Sequence, residues 1–143
     1  MDTPEERAVQ FFKSGYNCAE SVLKAVAETA ETGIDNPQRF ATAFGGGIAR
    51  QGYVCGCLSG AAMAVGLLAG RSAPDDVAGK ERVYAAVARL FEKFKAQAGA
   101  VDCRDISGLK FDQPTHLNVC CPLAGFAARA ACDEIALVQK GKG

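Results

Sequence analysis

The chain has 143 residues, and its sixteen basic and sixteen acidic residues cancel. This length suits one continuous core, so we expect a single cysteine-rich helical domain over residues 1–143. The balanced charge excludes the basic footprint of a nucleic-acid-binding protein. Seven cysteines form an odd set, and the chain begins MDTPEERAVQ with no apolar signal segment. We therefore expect a cytoplasmic protein whose cysteines are ligands or redox groups rather than permanent disulfides.

The first two predicted helices begin with the same capping pattern. Thr3 to Glu6 combines a threonine cap, a proline at the first helical position and a glutamate that closes a capping box, which predicts a helix to about Ser14. Asn17 to Glu20 repeats the signal and places Cys18 in the first turn of the second helix. A short third helix is predicted from Pro37 to Phe44.

A helix built largely from small residues is predicted at about 55–69. Gly56, Gly60 and Ala64 recur every four residues, so one face is nearly bare backbone that neighbouring helices can approach. Each internal glycine, Gly66 included, costs about 1 kcal/mol relative to alanine, which suggests a gain from close packing. The stretch is short and weakly apolar for a membrane span, so we expect a buried central helix and no membrane span.

The second half of the chain carries one clear amphipathic stripe and one irregular segment. Apolar residues between Val83 and Ala98 follow helical spacing. A single helical turn is predicted at Cys103, and Pro114 is expected to break any continuation. Cys121 and Pro122 are predicted to open the last helix. No alternating β-branched run is present, so the predicted class is all-α: a compact bundle of five to six helices around the central one.

Four cysteines fall at predicted helix starts. The unpaired N–H groups and the positive dipole end of a helix favour a thiolate over a thiol. If these ends converge, they form a site suited to the negative charge of a tetrathiolate metal centre. The four predicted cofactor and metal ligands are Cys18, Cys55, Cys103 and Cys121.

The spacing leaves two neighbouring cysteines open as alternative ligands. The chain has no CxxC pair, and Cys57 and Cys120 are the alternates to Cys55 and Cys121. Pro122 favours Cys121 over Cys120. Cys132 is expected to be a peripheral thiol. The lone His116 could complete a mixed Cys/His site, but we expect an exposed loop residue. Arg50 and Arg104 could neutralise a cluster or steer an anion, but we expect ordinary surface pairing.

Together, these stretches resemble the C_GCAxxG_C_C family of putative redox-active proteins. The resemblance implies that Cys18, Cys55, Cys103 and Cys121 occupy the four characteristic positions, and that the protein performs redox chemistry with a bound prosthetic group, most simply an iron–sulfur cluster. The sequence departs from the pattern where Cys57 replaces an alanine, where Cys120 is an extra neighbour, and where the named hexad is one residue short. The matching stretches are 15–19, 44–47, 55–61, 103–106 and 121–122.

Three functions therefore remain open from the sequence. The first is electron transfer through an iron–sulfur cluster, with an unidentified protein or small molecule as redox partner. The second is thiol–disulfide exchange by Cys55 with Cys57, or Cys120 with Cys121, and its catalytic residues are unknown. The third is a structural or storage site for zinc. The small-residue face can pack within one chain or across a homodimer.

Overall fold

The computed structural model describes residues 2–141, and its helices confirm the all-α class. Within that range there are seven α-helices and no strand, the one β-type contact being an isolated antiparallel bridge between Val54 and Asp102. The α-helices are α1 (Pro4–Ser14), α2 (Cys18–Thr29), α3 (Gly56–Ala69), α4 (Val77–Ala98), α5 (Cys103–Ser107), α6 (Gln113–Thr115) and α7 (Cys121–Gly141). A 3-10 helix, Pro37–Phe44, follows α2, and a π-helical turn, His116–Cys120, joins α6 to α7.

Both predicted capping boxes are present. Thr3 Oγ1 accepts the Glu6 N–H at 3.1 Å, and Asn17 Oδ1 accepts the Glu20 N–H at 2.9 Å. The Glu20 carboxylate accepts the Asn17 N–H in return, also at 2.9 Å. Because these bonds satisfy N–H groups that have no helical partner, α2 begins at Cys18, as the sequence predicts.

Helix α3 lies at the centre of the bundle and packs against α2, α4 and α7. Its small residues permit this at one point especially, since a Cβ on Gly60 would stand 2.6 Å from the Ala19 carbonyl oxygen of α2. Gly66 has open space around its Cα, so the prediction that it too serves close packing is wrong. Across residues 2–141, no helix has both the length and the apolar character needed to cross a bilayer.

One carboxylate is buried in the interface between α4 and α7. The Glu134 side chain has no exposed surface, and its two oxygens pair with Arg89 Nε at 2.8 Å and Lys93 Nζ at 2.7 Å. Burial raises the pKa of Glu134, but the two cations outweigh it and leave the pKa below its ordinary value. The pairing therefore keeps a charge inside the bundle.

The chain enters α7 differently from the prediction. Asp112 caps α6 by accepting the Thr115 N–H at 2.9 Å, and Pro114 sits in the first turn, where a missing N–H costs nothing. The helical run therefore starts near residue 113, which also brings the helix count above the predicted five to six. Helix α7 begins at Cys121, as predicted, but Cys121 donates its N–H to the His116 carbonyl, so α7 continues directly from the π-helical turn. The π-turn immediately precedes Pro122, whose missing N–H and ring disfavour regular α-helical geometry there.

Candidate functional site

A cavity of about 580 Å³ lies at the end of the bundle where α2 and α3 begin. Four cysteines from four separate elements line it: Cys18 at the start of α2, Cys55 before α3, Cys103 at the start of α5 and Cys120 in the π-turn. All seven cysteines of the chain are free thiols. The fold thus brings together cysteines that are far apart in the sequence.

Three of the four predicted ligand positions are on this wall, and the fourth is not. Cys121 is buried, with its Sγ 3.9 Å from the Val9 carbonyl oxygen of α1, and it does not line the cavity. Its neighbour Cys120 does. Successive residues of a helix point about 100° apart, so the helix can direct only one of the two thiols into the cavity.

The remaining two cysteines lie off the cavity wall. Cys57 is fully buried behind it, with its Sγ 3.9 Å from the Cys120 carbonyl oxygen. Cys132 is partly buried on α7 and packs against the core. As they stand, no three Cys, His, Asp or Glu side chains within residues 2–141 are arranged to hold a single metal ion.

Backbone hydrogen bonds hold Cys55 and Cys103 beside each other. The Cys55 N–H donates to the Val101 carbonyl at 2.8 Å, and the Cys103 N–H donates to the Tyr53 carbonyl at 2.7 Å. Arg104 strengthens this connection, because its Nε donates to the Gly52 carbonyl at 3.0 Å and its guanidinium lies 4.8 Å from the Tyr53 ring centre. Arg104 therefore positions the segment that carries Cys55 and is not in a surface ion pair.

A left-handed turn approaches Cys18 from the other side. Five consecutive residues from Gly46 to Arg50 have φ between 49° and 72°, and Ile48 is among them at 68°. A left-handed backbone costs a non-glycine residue roughly 1–2 kcal/mol, and such strain persists only where the surroundings enforce it. Backbone hydrogen bonds across the loop enforce the left-handed conformation here. One example is the bond from the Ala49 N–H to the Ala43 carbonyl at 2.8 Å. The turn brings the Gly46 N–H to the sulfur of Cys18.

Cys18 is the thiol that the site favours as a thiolate. The thiols of Cys55 and Cys57 donate hydrogen bonds to its sulfur and hold its pKa well below the ordinary value. Burial acts in the opposite direction, whereas the N–H groups of Gly46 and Ala19 lower the pKa further. Gly56 allows this contact, because a Cβ at that position would overlap the Cys18 sulfur.

The other cavity thiols are favoured in the protonated form. Hydrogen bonding to Cys18 raises the pKa of Cys55 and of Cys57, since either would lose that bond on deprotonation. Burial raises the pKa of Cys103, and it raises the pKa of Cys120 to about 12. The lowered pKa of Cys18 and the raised pKa values of its neighbours favour one negative charge in this group of thiols and oppose a second.

His116 is part of the cavity wall, which the sequence analysis missed. It is half-buried in the π-turn, and its ring packs edge-on against Phe12 with 5.7 Å between centroids. Arg50 also lines the cavity, at the end of the left-handed turn, instead of pairing on the surface. The three consecutive glycines at 45–47 were the sequence signal for an unusual backbone beside the cysteines.

A family model described as "Putative redox-active protein (C_GCAxxG_C_C)" matches residues 16–134, which is most of the chain. No match was found among curated proteins or among solved structures. The matched range begins two residues before Cys18 and includes every cysteine on the cavity wall. The chain therefore belongs to the C_GCAxxG_C_C family of putative redox-active proteins.

Proposed function

We propose that Cys18, Cys55, Cys103 and Cys120 hold an iron–sulfur cluster and that the protein transfers electrons through it. The observation that carries the proposal is the meeting of four thiols, from four separate elements, on one cavity. Iron–sulfur clusters are most often held by four cysteine thiolates. Thiols spread around a cavity can bind more than one iron, which a polynuclear centre requires. Family membership supports the redox part of this role.

The structure favours Cys120 over Cys121 as the fourth ligand. Cys120 lines the cavity together with the other three thiols, whereas Cys121 faces the Val9 carbonyl of α1. The sequence analysis favoured Cys121 because Pro122 seemed to mark a helix start there. Helix α7 does begin at Cys121, but the Cys121 N–H is already bonded to the His116 carbonyl, so this start does not favour a thiolate as a free helix end would.

The donor set fits an anionic cluster. Cys18 is already favoured as a thiolate, and the N–H groups of Gly46 and Ala19 point at its sulfur. Hydrogen bonds to ligand sulfurs stabilise negative charge and are one of the ways in which proteins tune a cluster's reduction potential. The other three thiols must lose protons on loading, because only thiolates bind metal. Loading should therefore release protons and weaken as the pH falls.

When bound, the cluster supplies a one-electron redox couple. The chain's own part is to hold and shield it. The bridge between Val54 and Asp102 fixes two ligand segments relative to each other, and the left-handed turn holds the Gly46 N–H in place. Phe12 and Phe111 supply apolar parts of the cavity wall.

The test begins with protein purified without oxygen. We expect iron with matching acid-labile sulfide, and a visible absorption band that dithionite bleaches. Colourless protein that fails chemical reconstitution would contradict the proposal. Colourless protein with one equivalent of zinc would instead support the structural site considered from the sequence.

Single Cys→Ser variants then identify the ligands. Cys18→Ser, Cys55→Ser, Cys103→Ser and Cys120→Ser should each lose cluster or shift its spectrum. Cys121→Ser and Cys132→Ser are matched controls, since both remove a thiol that lies off the cavity, and they should load normally. Normal loading of Cys120→Ser together with failure of Cys121→Ser would reverse our choice of the fourth ligand.

A second candidate function, thiol–disulfide exchange, is favoured by the contact between Cys18 and Cys55. The Cys18 thiolate would attack a substrate disulfide, breaking its S–S bond and releasing one substrate thiol. Cys55 would then attack the mixed disulfide and release the second thiol, so that the substrate gains two electrons and the protein is left with a Cys18–Cys55 disulfide. Cys55→Ser should trap the mixed disulfide, which mass spectrometry detects. Absence of any adduct would exclude this route.

A further inference from the structure

The cysteine cavity has a positively charged wall. Lys13 and Arg50 line it, whereas no aspartate or glutamate is among its lining residues. The chain as a whole carries equal numbers of basic and acidic residues, so this excess is local. Apart from the favoured Cys18 thiolate, the charged side chains of this wall are cationic, and such a wall raises the local concentration of anions.

Lys13 and Arg50 belong to no ion pair within residues 2–141. The ion pairs within residues 2–141 use Arg7, Lys24, Arg89, Lys93 and Arg129. Arg104 is the other arginine near the thiols, and its guanidinium donates hydrogen bonds to the carbonyls of Gln51 and Gly52. Arg50 makes no such bond within the same residues, and its guanidinium lies 5.9 Å from the ring centre of Phe111.

Aromatic rings form another part of the wall. His116 lies between Phe12 and Phe111, with ring centroids 5.7 and 6.5 Å away. The cavity's volume of about 580 Å³ falls in the range of small-molecule sites, which combine apolar walls with a few fixed polar groups. Flat apolar surface and cations in one cavity wall suit a small organic anion with an aromatic or planar part.

We propose that the cavity binds a small organic anion, held by Lys13 and Arg50 and packed against Phe111 and His116, beside the cysteine thiols. This inference rests on the proposed redox role, because it names the class of molecule that exchanges electrons at the site. It does not require that the centre be a metal cluster. The same wall would select an anionic reaction partner for bare thiols.

Two disulfide reagents of different charge test this proposal on the full, metal-free, reduced chain. The first is 5,5′-dithiobis(2-nitrobenzoate), an aromatic dianion, and the second is 4,4′-dithiodipyridine, an uncharged aromatic disulfide of similar shape. With either reagent, a protein thiolate attacks one sulfur, the S–S bond breaks, and one aromatic thiolate leaves and is measured by absorbance. Cys18→Ser and Cys120→Ser identify which kinetic phase belongs to the cavity.

Removal of both cations should slow the anionic reagent alone. In the Lys13→Ala, Arg50→Ala double variant, we expect the cavity phase with the dianion to slow about tenfold. The phase with the neutral reagent should change less than about twofold, since neutral molecules are not steered. Added salt should slow the dianion in the wild-type chain and not in this variant. The matched control is Arg71→Ala, Lys95→Ala, which removes the same charge away from the cavity.

Each contrary outcome overturns the inference. Equal slowing in the control would mean that net charge, and not the cavity, selects the reagent. Equal slowing of both reagents would mean that the substitutions disturb the thiols. If no cavity thiol reacts with either reagent, the cavity does not admit such molecules. Iron and sulfide content of the same double variant is measured separately, so a failed cluster and a failed anion site give different results.

Discussion

The polar side chains of α7 and of the turn before it are paired to different extents. In the C-terminal half of α7, twelve residues after Pro122, the Glu134 side chain is sealed from solvent, and its two oxygens lie 2.7 and 2.8 Å from cations. Just before α7, Cys120 lines the cavity together with three other thiols and two cations, Lys13 and Arg50. No carboxylate is among the lining residues of the cavity. The charge of Glu134 is therefore fully paired within the fold.

This difference separates a structural polar group from a candidate site. A buried charge that is fully paired contributes to the choice of one packing arrangement, and its loss is felt in stability. Polar groups that surround open space are, in our proposal, available to a bound cluster or small molecule. The four experiments below sharpen this comparison, from the largest expected effect to the smallest.

The largest effect should follow removal of the partners of Glu134. An Arg89→Met, Lys93→Met double variant leaves a carboxylate buried without a cation, and we expect it to unfold about 3 kcal/mol more easily at pH 7. The figure lies at the low end for buried pairs because both cations are half-exposed. Chemical denaturation followed by circular dichroism measures it. Thiol reactivity in the cavity should not change, and a change would show that the Glu134 pairing and the cavity are coupled.

The pH dependence of the same comparison has a definite sign. The pKa of Glu134 lies below its ordinary value of 4.5 in the folded chain. Its stabilising contribution is therefore complete above pH 4.5 and is lost as the pH falls through the lower, folded value. The stability difference between the wild-type chain and the double variant should shrink in acid. A difference that stays constant to pH 3 would show that the methionines, and not the lost ion pairs, cause the effect.

Two glycines of α3 give effects of opposite sign. Gly60→Ala should destabilise the chain by about 1–3 kcal/mol, because its Cβ would meet the backbone of Ala19 and push α2 away. Gly66→Ala, its matched control on the same helix, meets nothing and should stabilise by about 0.5–1 kcal/mol. Thermal unfolding measures both. Since α2 carries Cys18, Gly60→Ala should also alter thiol reactivity, and an unchanged cavity would show that α2 can shift without it.

The smallest effect is expected at an exposed ion pair. Arg129 Nε lies 2.6 Å from Glu5 Oε1 between α7 and α1, yet about half of each side chain is exposed. Solvent screens such a pair, so Arg129→Ala should leave the unfolding midpoint within experimental error. Urea titration beside the Glu134 partner variant makes the comparison. A loss as large as in that variant would mean that short distance, and not burial, decides the value of an ion pair.

The helices with local signals were predictable from the sequence. The capping boxes at Thr3 and Asn17 involve residues three apart, and both starts were predicted correctly. The central helix was predicted at about 55–69 and is observed at Gly56–Ala69. The prediction that Pro114 breaks the helical run was wrong, because proline breaks a helix interior but suits a first turn. The cap at Asp112 places Pro114 in a first turn.

The cavity was predictable only in part. Cysteine at three helix starts pointed to Cys18, Cys55 and Cys103, which do line it. The choice between Cys120 and Cys121 depended on the rotation of one helix, which the π-turn sets and no spacing rule reveals. His116 lies in the π-helical turn and Arg50 in the left-handed turn, and these turns place both residues on the cavity wall. Both residues were expected on the surface.

By itself, the sequence determined the all-α class, the helix starts, the small-residue contact at Gly60 and the presence of many thiols in a chain of balanced charge. These features depend on neighbours within one or two helical turns, where capping, periodicity and side-chain size act directly. Only the tertiary structure decided which thiols share a cavity, which one is favoured as a thiolate, and which cations stand beside it. Those properties arise between segments far apart in the chain, because hydrogen bonds and charges act through space and local propensity carries no record of them.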